Sequence, residues 1–126
     1  MKINSGFKDL LRVFNGAEVR FLIAGGYAVM VDTEPRYTKD LDLWIEPVPA
    51  NAEAVLRALA EFGAPTGGVV VADLIEPDVF FQIGVDPVRV DLLTTVKGLE
   101  FQPAWERKIV VDSEAYPRRC YAATMS

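Results

Sequence analysis

Three aspartates stand inside otherwise apolar segments of this chain. Asp40 and Asp42 lie in the stretch DLDLWI, and Asp91 lies in VRVDLLT. Alternate residues of a strand share a face, so Asp40 and Asp42 would project together, about 7 Å apart along the strand. Carboxylates on one face repel each other and need a cation or hydrogen-bond donors to offset their charge. If the Asp91 strand lies beside the first, we expect three carboxylates to converge.

Such a cluster would be a hard-oxygen site suited to Mg²⁺ or Mn²⁺. Two ions about 3.5–4 Å apart can clamp the attacking and leaving oxygens of a phosphoryl or nucleotidyl transfer. A different interpretation is that Asp40 and Asp42 sit on a solvated edge strand while Asp91 caps a turn. The chain has no histidine, and Cys120 is its one cysteine, which excludes His-dependent triads, His-ligated or Cys-based zinc sites and a disulfide framework.

A glycine pair precedes the acidic stretch. Gly25-Gly26 follows the apolar run FLIA and precedes a predicted short helix, so the backbone there could approach a phosphate closely and present N–H groups to it. Arg36, Thr38 and Lys39 lie between the glycines and the acids, and their cationic and hydroxyl groups suit a triphosphate. Ordinary surface charge is the alternative for Arg36 and Lys39.

The elements that must position these residues can be predicted from apolar periodicity and from turn residues. We expect long helices over residues 5–14 and 49–62, and short ones over 26–32 and 100–106. We expect strands over 20–24, 40–46, 78–85 and 88–95, and a final hairpin of 107–112 with 117–123, turning at 113–114. Gly67-Gly68 precedes valines and predicts a plain turn, and residues 69–74 show no clear preference. This order indicates an α+β or mixed α/β domain, with helices packed mainly on one face of a mixed sheet.

Bulk properties narrow the class of protein. The chain has 126 residues, 51% of them hydrophobic, and a net charge of −5, which is typical of one globular domain. The acidic balance argues against a broad basic surface for nucleic acid. No apolar run approaches the ~18 residues of a membrane helix, and no signal-peptide pattern is visible, so we expect a cytoplasmic protein with no membrane partner.

In combination, the segments FLIAGGYAV, PRYTKDLDLWIEP and VRVDLLT resemble the nucleotidyltransferase fold of the DNA polymerase β superfamily. More narrowly, they are similar to the small bacterial nucleotidyltransferases related to AbiEii-type abortive-infection and toxin–antitoxin proteins. The likeness runs from about residue 5 to about residue 110. It implies a single minimal domain over residues 1–126, and we expect the C-terminal helices of relatives to be absent.

The resemblance also implies roles for individual residues. Asp40 and Asp42 would ligate Mg²⁺ or Mn²⁺ ions shared with the nucleotide. Asp91 would ligate the catalytic metal and help to activate the acceptor hydroxyl. Gly25 and Gly26 would face the triphosphate, in a pocket lined by Arg36, Thr38 and Lys39. The implied reaction transfers a nucleoside monophosphate from an NTP to a hydroxyl of a tRNA or a protein and releases pyrophosphate.

Two other functions stay open. The first is a non-catalytic binding protein on the same fold, such as a toxin–antitoxin component, because relatives often carry Asn and His where this chain has Met30 and Asp32. The second is a metal-dependent phosphoesterase, which would use the same acids but would release phosphate without transferring a nucleotide. A homodimer or a toxin–antitoxin partner could supply the part of the cleft that C-terminal helices form in relatives.

Overall fold

The computed structural model describes residues 5–24, 40–64, 66–83, 89–111 and 120–123. These ranges contain four helices and six strands. In chain order they are α1 (Ser5–Gly16), β1 (Phe21–Ile23), β2 (Asp40–Ile45), α2 (Pro49–Phe62), α3 (Val71–Leu74), β3 (Phe80–Ile83), β4 (Arg89–Leu93), α4 (Phe101–Glu106), β5 (Ile109–Val110) and β6 (Tyr121–Ala122). The predicted helix over 26–32 and the predicted turn at 113–114 lie outside the described residues.

All six strands belong to one mixed sheet, in the order β3-β4-β2-β1-β6-β5. At its centre, β2 runs parallel to β4 and antiparallel to β1. β1 runs parallel to β6, and β6 pairs antiparallel with β5, as expected for the final hairpin. β3 pairs antiparallel with β4 at the other edge. The mixed α/β fold predicted from the sequence is confirmed.

One face of the sheet, called here the helix-packed face, carries most of the helical layer. α1 turns Leu10, Leu11 and Phe14 toward it, and all three are fully buried. Leu43 and Ile45 of β2 meet them from the sheet and are also fully buried. α2 completes this layer with a stripe of small and branched side chains, namely Ala52, Ala54, Val55, Ala58 and Leu59.

The opposite face is covered over part of its area by α4. There Trp44 of β2 packs with Leu22 of β1 and with Phe101 and Ala104 of α4 in a second, smaller cluster. We call this the carboxylate face, because Asp42 and Asp91 also lie on it, as described below. Three of the four helices therefore contribute to the helix-packed face, which agrees with the prediction that helices lie mainly on one face.

The ends of α2 follow local rules that the sequence displays. Pro49 occupies the first helical position, where its missing N–H would have no partner within the helix. Gly63 ends the helix in the left-handed region with a φ of 89°, and its N–H donates to the carbonyls of Leu59 and Ala60. The predicted helix over residues 49–62 is confirmed. Residues 71–74, for which the sequence shows no preference, form a single turn of helix.

A polar side chain ties α2 to the strands. Asn51 accepts a hydrogen bond at its Oδ1 from the Arg20 N–H at 2.7 Å, and its Nδ2 donates to the carbonyls of Arg20 at 2.9 Å and Glu46 at 3.0 Å. Asn51 is almost fully buried, so these bonds satisfy both ends of its amide. They fix the start of α2 against the residues that flank β1 and β2.

Candidate functional site

The pairing of β2 with β4 brings two of the predicted acids together. In the parallel register, Asp42 lies directly opposite Asp91, and Asp40 lies opposite Arg89. The adjacency on which the predicted carboxylate cluster depends is therefore confirmed at the level of the backbone. The side chain of Asp40 lies outside the described part of the chain, so the third carboxylate stays a prediction.

The same register contradicts the edge-strand interpretation. β2 lies inside the sheet, between β4 and β1. Asp91 occupies the middle of β4 rather than a turn. Both acids therefore belong to interior strands, where a charged side chain needs a specific reason to be present.

Alternation along β2 decides which face the acids occupy. Leu43 and Ile45 enter the helix-packed core, whereas Trp44 enters the cluster beneath α4. Asp42 is two residues from Trp44 and so shares its face. Asp42 and Asp91 are both half-buried on this carboxylate face. Leu43 and Ile45 therefore project away from Asp42, as strand alternation requires.

This arrangement suits a divalent cation. Side chains opposite each other on neighbouring strands start about 4.8 Å apart, so the charges of Asp42 and Asp91 repel across a short distance. A Mg²⁺ ion binds carboxylate oxygens at about 2.0–2.1 Å and usually takes only one or two carboxylates, with substrate phosphates completing its shell. Two facing, half-buried carboxylates supply oxygen ligands of this kind.

The described side chains contain two members of the predicted triad. Among them, no group of three or more acidic, histidine or cysteine residues lies close enough to hold a metal ion. Because the carboxylate of Asp40 is outside that set, the described part of the predicted metal site consists of Asp42 and Asp91. The triad itself stays a prediction.

A third strand adds a residue that the sequence analysis missed. Gln82 of β3 lies opposite Asp91 in the antiparallel register. Its Nε2 donates to the Asp91 Oδ1 at 3.0 Å. In the sequence, Gln82 stands out only as a polar residue between Phe81 and Ile83 in an otherwise apolar strand. Its pairing with Asp91 depends on a strand register that the sequence does not display.

The end of the carboxylate face beyond the acids is closed by aromatic packing. Trp44 is 1% exposed and meets the Phe101 ring edge to face, with 5.2 Å between ring centroids. Its indole Nε1 donates to the Thr94 carbonyl at 3.4 Å. Trp44 therefore forms an apolar floor beside the acids, and α4 covers it.

β1 ends beside Asp42. The N–H of Ala24 donates to the Asp42 carbonyl at 3.0 Å, and Ala24 is the residue immediately before Gly25 in the sequence. The five predicted nucleotide-binding residues lie outside the described residues, and their role stays a prediction: Gly25, Gly26, Arg36, Thr38 and Lys39.

Comparison with known proteins supports the fold. No protein-family model matches the sequence, and no curated protein matches it. Among solved structures, the fold is similar to that of a Thermotoga maritima protein described as a candidate nucleotidyltransferase. The TM-score is 0.57 at 13% sequence identity, and the match covers 98% of this chain and 80% of that one. The similarity shows a shared fold, and it confirms the predicted nucleotidyltransferase-type architecture.

Among the described residues, no helix has the length and apolar character needed to cross a membrane.

Proposed function

We propose that this chain is a metal-dependent nucleotidyltransferase that transfers a nucleoside monophosphate from an NTP to a hydroxyl acceptor. The observation that carries the proposal is the facing pair of Asp42 and Asp91 on two interior parallel strands. A charged side chain is uncommon in the middle of an interior strand, and two like charges that face each other repel. A site built to hold Mg²⁺ or Mn²⁺ gives both acids a purpose, and the fold shared with a candidate nucleotidyltransferase supports the same conclusion.

We propose roles for the acids that match those implied by the resemblance to nucleotidyltransferases. Asp42, together with Asp40, would hold the metal that contacts the nucleotide phosphates. Asp91, on the neighbouring strand, would hold the catalytic metal and orient the acceptor hydroxyl toward the α-phosphate. When bound, the metal offsets phosphate charge and polarises the phosphoryl oxygens. The acceptor class is a tRNA end or a protein side chain, and pyrophosphate leaves.

We propose a phosphate pocket next to the acids. The Ala24 N–H is bonded to the Asp42 carbonyl, so β1 ends beside the proposed metal site, and Gly25-Gly26 follows Ala24 in the sequence. We propose that Gly25 and Gly26 present backbone N–H groups to the triphosphate. Arg36, Thr38 and Lys39, between the glycines and the acids in sequence, would line the same pocket.

We also propose a biological setting for this activity. The motif combination is similar to AbiEii-like bacterial nucleotidyltransferases, so we place the chain in the cytoplasm as a component of a toxin–antitoxin or abortive-infection system. We propose that the chain forms a homodimer or binds a toxin–antitoxin partner. Size-exclusion chromatography with light scattering, alone and with the candidate partner, tests this part separately from catalysis.

The decisive experiment follows both ends of the nucleotide. The purified chain is incubated with Mg²⁺, total tRNA or total protein, and an NTP labelled at either the α- or the γ-phosphate. We expect the α-label to enter an acceptor and the γ-label to leave as pyrophosphate. Asp42→Asn should abolish the labelling while the far-UV circular dichroism stays unchanged. Asp9→Asn is the matched control, because Asp9 is an exposed acid on α1 that pairs only loosely with Arg12 at 3.6 Å.

Three outcomes would contradict the proposal. Release of inorganic phosphate without labelling of an acceptor would indicate a phosphoesterase. Unchanged labelling in Asp42→Asn would remove the acid pair from the mechanism. Failure to bind any non-hydrolysable NTP at millimolar concentration, with or without Mg²⁺, in isothermal titration would indicate a non-catalytic binding protein. If binding does occur, it should depend on Mg²⁺ and should be lost in Asp40→Asn.

A further inference from the structure

We infer that Gln82 is a positioning residue that orients the Asp91 carboxylate for its metal ion. This inference rests on the proposed function, because it concerns the same metal site. It starts from the hydrogen bond that Gln82 Nε2 donates to Asp91 Oδ1 at 3.0 Å. A bond of this length to a charged acceptor is well formed and stronger than one between neutral groups.

The hydrogen bond is held by regular structure at both ends. Gln82 and Asp91 are direct partners in the β3–β4 register, flanked by the pairs Phe81–Leu92 and Ile83–Val90. Ile83, Val90 and Leu92 are buried in the helix-packed core. The two flanking pairs therefore anchor the strands on one face, and Gln82 and Asp91 face each other on the other.

The chemistry of the amide suits a metal ligand. A carboxylate has two oxygens with about four lone-pair sites, so one bond from an amide N–H restricts its rotation without using up its capacity for a cation. Lysine or arginine at this position would neutralise Asp91 and compete with the metal. Gln82 supplies direction without charge.

On the carboxylate face, β2, β4 and β3 each contribute one side chain to a row of three. Asp42 and Asp91 oppose each other as like charges, and Gln82 approaches Asp91 from the far side. A carboxylate repelled by one neighbour and held by another has a preferred orientation before the metal arrives. Groups that hold metal ligands in this way typically change metal affinity by 10- to 100-fold when removed.

The chain contains a matched pair that does not adjoin the acids. Gln102 Nε2 donates to Glu106 Oε2 at 3.1 Å, one turn apart on α4, and both side chains are exposed. The same change at Gln102 removes the same kind of amide–carboxylate bond at a place where no metal site is proposed. It therefore controls for the loss of a surface hydrogen bond.

The test is a Mn²⁺ titration of the full chain, with MnCl₂ as the only ligand, followed by electron paramagnetic resonance. Gln82→Met keeps the length of the side chain and removes the donor. We expect it to weaken Mn²⁺ binding about tenfold, while the melting temperature of the metal-free protein stays at the wild-type value because Gln82 is exposed. Gln102→Met should leave both quantities unchanged. In the transfer assay, Gln82→Met should raise the Mn²⁺ concentration for half-maximal rate by the same factor, with kcat at saturating Mn²⁺ near that of the wild type.

The outcomes separate this inference from the proposed function. If wild-type binding is lost in Asp91→Asn but unchanged in Gln82→Met, the metal site stands and the role of Gln82 is overturned. If Gln82→Met lowers the melting temperature and leaves Mn²⁺ affinity unchanged, Gln82 is structural and the inference fails. If the wild-type chain binds no Mn²⁺, or Asp91→Asn binds it equally well, the metal site fails and the inference fails with it.

Discussion

Polar side chains on the two sides of β2 affect the stability of the fold in opposite ways. On the side of α2, the buried amide of Asn51 has a hydrogen-bond partner for each of its ends, and all of them are backbone groups. On the carboxylate face, Asp42 and Asp91 stand directly opposite each other with like charge. The first arrangement lowers the free energy of the folded chain, whereas like charges that face each other repel, and the proposed cation would offset that repulsion.

The carboxylate face is itself divided. Within one strand, Asp42 lies two residues before Trp44, which is sealed beneath α4 and packed on Phe101. The packed aromatic residues stabilise this part of β2, and the same strand carries the acid that faces Asp91. Stability and proposed function are thus separated by about 7 Å along one strand, and substitutions should separate them too.

The largest expected effect is at the aromatic end. Trp44→Ala removes a fully buried side chain from the cluster beneath α4, and such truncations typically lower the free energy of unfolding by about 3–5 kcal/mol. Urea denaturation followed by circular dichroism measures this loss. A loss below about 1 kcal/mol would contradict the division of the face into a structural and a functional end.

Trp105→Ala is the control for loss of a tryptophan. Trp105 is only half-buried and has the Arg20 guanidinium 4.6 Å from its ring centroid and the Lys108 ammonium 4.3 Å away. Exposed contacts of this kind contribute about 0.5–1 kcal/mol each. The loss in Trp105→Ala should therefore be clearly smaller than the loss in Trp44→Ala.

The second effect tests the satisfied amide. In Asn51→Ala, the Arg20 N–H loses its acceptor, whereas the carbonyls of Arg20 and Glu46 keep backbone donors from Glu46 and Val48. One orphaned, partly buried N–H should lower the free energy of unfolding by about 2 kcal/mol. Urea denaturation measures it, with the exposed Glu53→Ala on the same helix as the control for changes in helix propensity. Equal stability of the two variants would remove Asn51 from its structural role.

How far the sequence reaches can be judged from these same residues. Alternation in DLDLWI is enough to place Leu43 and Ile45 on one face and the aspartates on the other, because the period of a strand is two. Turn and cap residues are enough to stop α2 at Gly63, because a helix end needs local backbone geometry. These features depend only on neighbours along the chain, and the structure agrees with them.

Features that depend on pairing between distant segments could not be predicted from the sequence. The contact of Asp42 with the Asp91 strand could be stated only as a condition, since parallel strands 49 residues apart leave no local mark of their register. Gln82 was missed for the same reason. Asn51 was hidden in an alanine-rich helix, because its Arg20 partner lies 31 residues away.

The third effect concerns Cys120, a titratable group on the helix-packed side. Burial raises the pKa of its thiol from 9.0 to about 11, and a hydrogen bond with the Asn15 side chain opposes the rise only in part. The unfolded chain therefore loses this proton near pH 9, whereas the folded chain keeps it until about pH 11. Above pH 9 the folded state binds more protons, so stability falls as pH rises, by about 1.4 kcal/mol per pH unit from this one group, and the loss levels off near pH 11.

Cys120→Ala isolates that contribution from other groups that titrate at alkaline pH. Urea denaturation of both proteins at pH 7, 9 and 10 gives the difference in unfolding free energy at each value. We expect the difference to be constant between pH 7 and pH 8.5 and to shift in favour of the alanine variant above pH 9. A difference that is independent of pH up to 10 would mean that the thiol ionises equally easily in both states.

The smallest expected change in the free energy of unfolding is a gain, whereas Trp44→Ala and Asn51→Ala lose stability. It therefore tests the contrast between the two sides of β2 most directly. Asp91→Asn removes one of two facing charges and keeps an oxygen that can accept from Gln82, so the metal-free protein should become more stable by about 0.5 kcal/mol. With Mn²⁺ at 100 times its dissociation constant, the wild type gains about 2.7 kcal/mol and the variant gains nothing. Thermal denaturation in EDTA and in MnCl₂ should therefore reverse the order of the two melting temperatures, while Asp9→Asn follows the wild type in both. If Asp91→Asn is less stable than the wild type in EDTA, the carboxylate helps to hold the fold together. The carboxylate face would then be a second structural face, without a charge pair set aside for a metal.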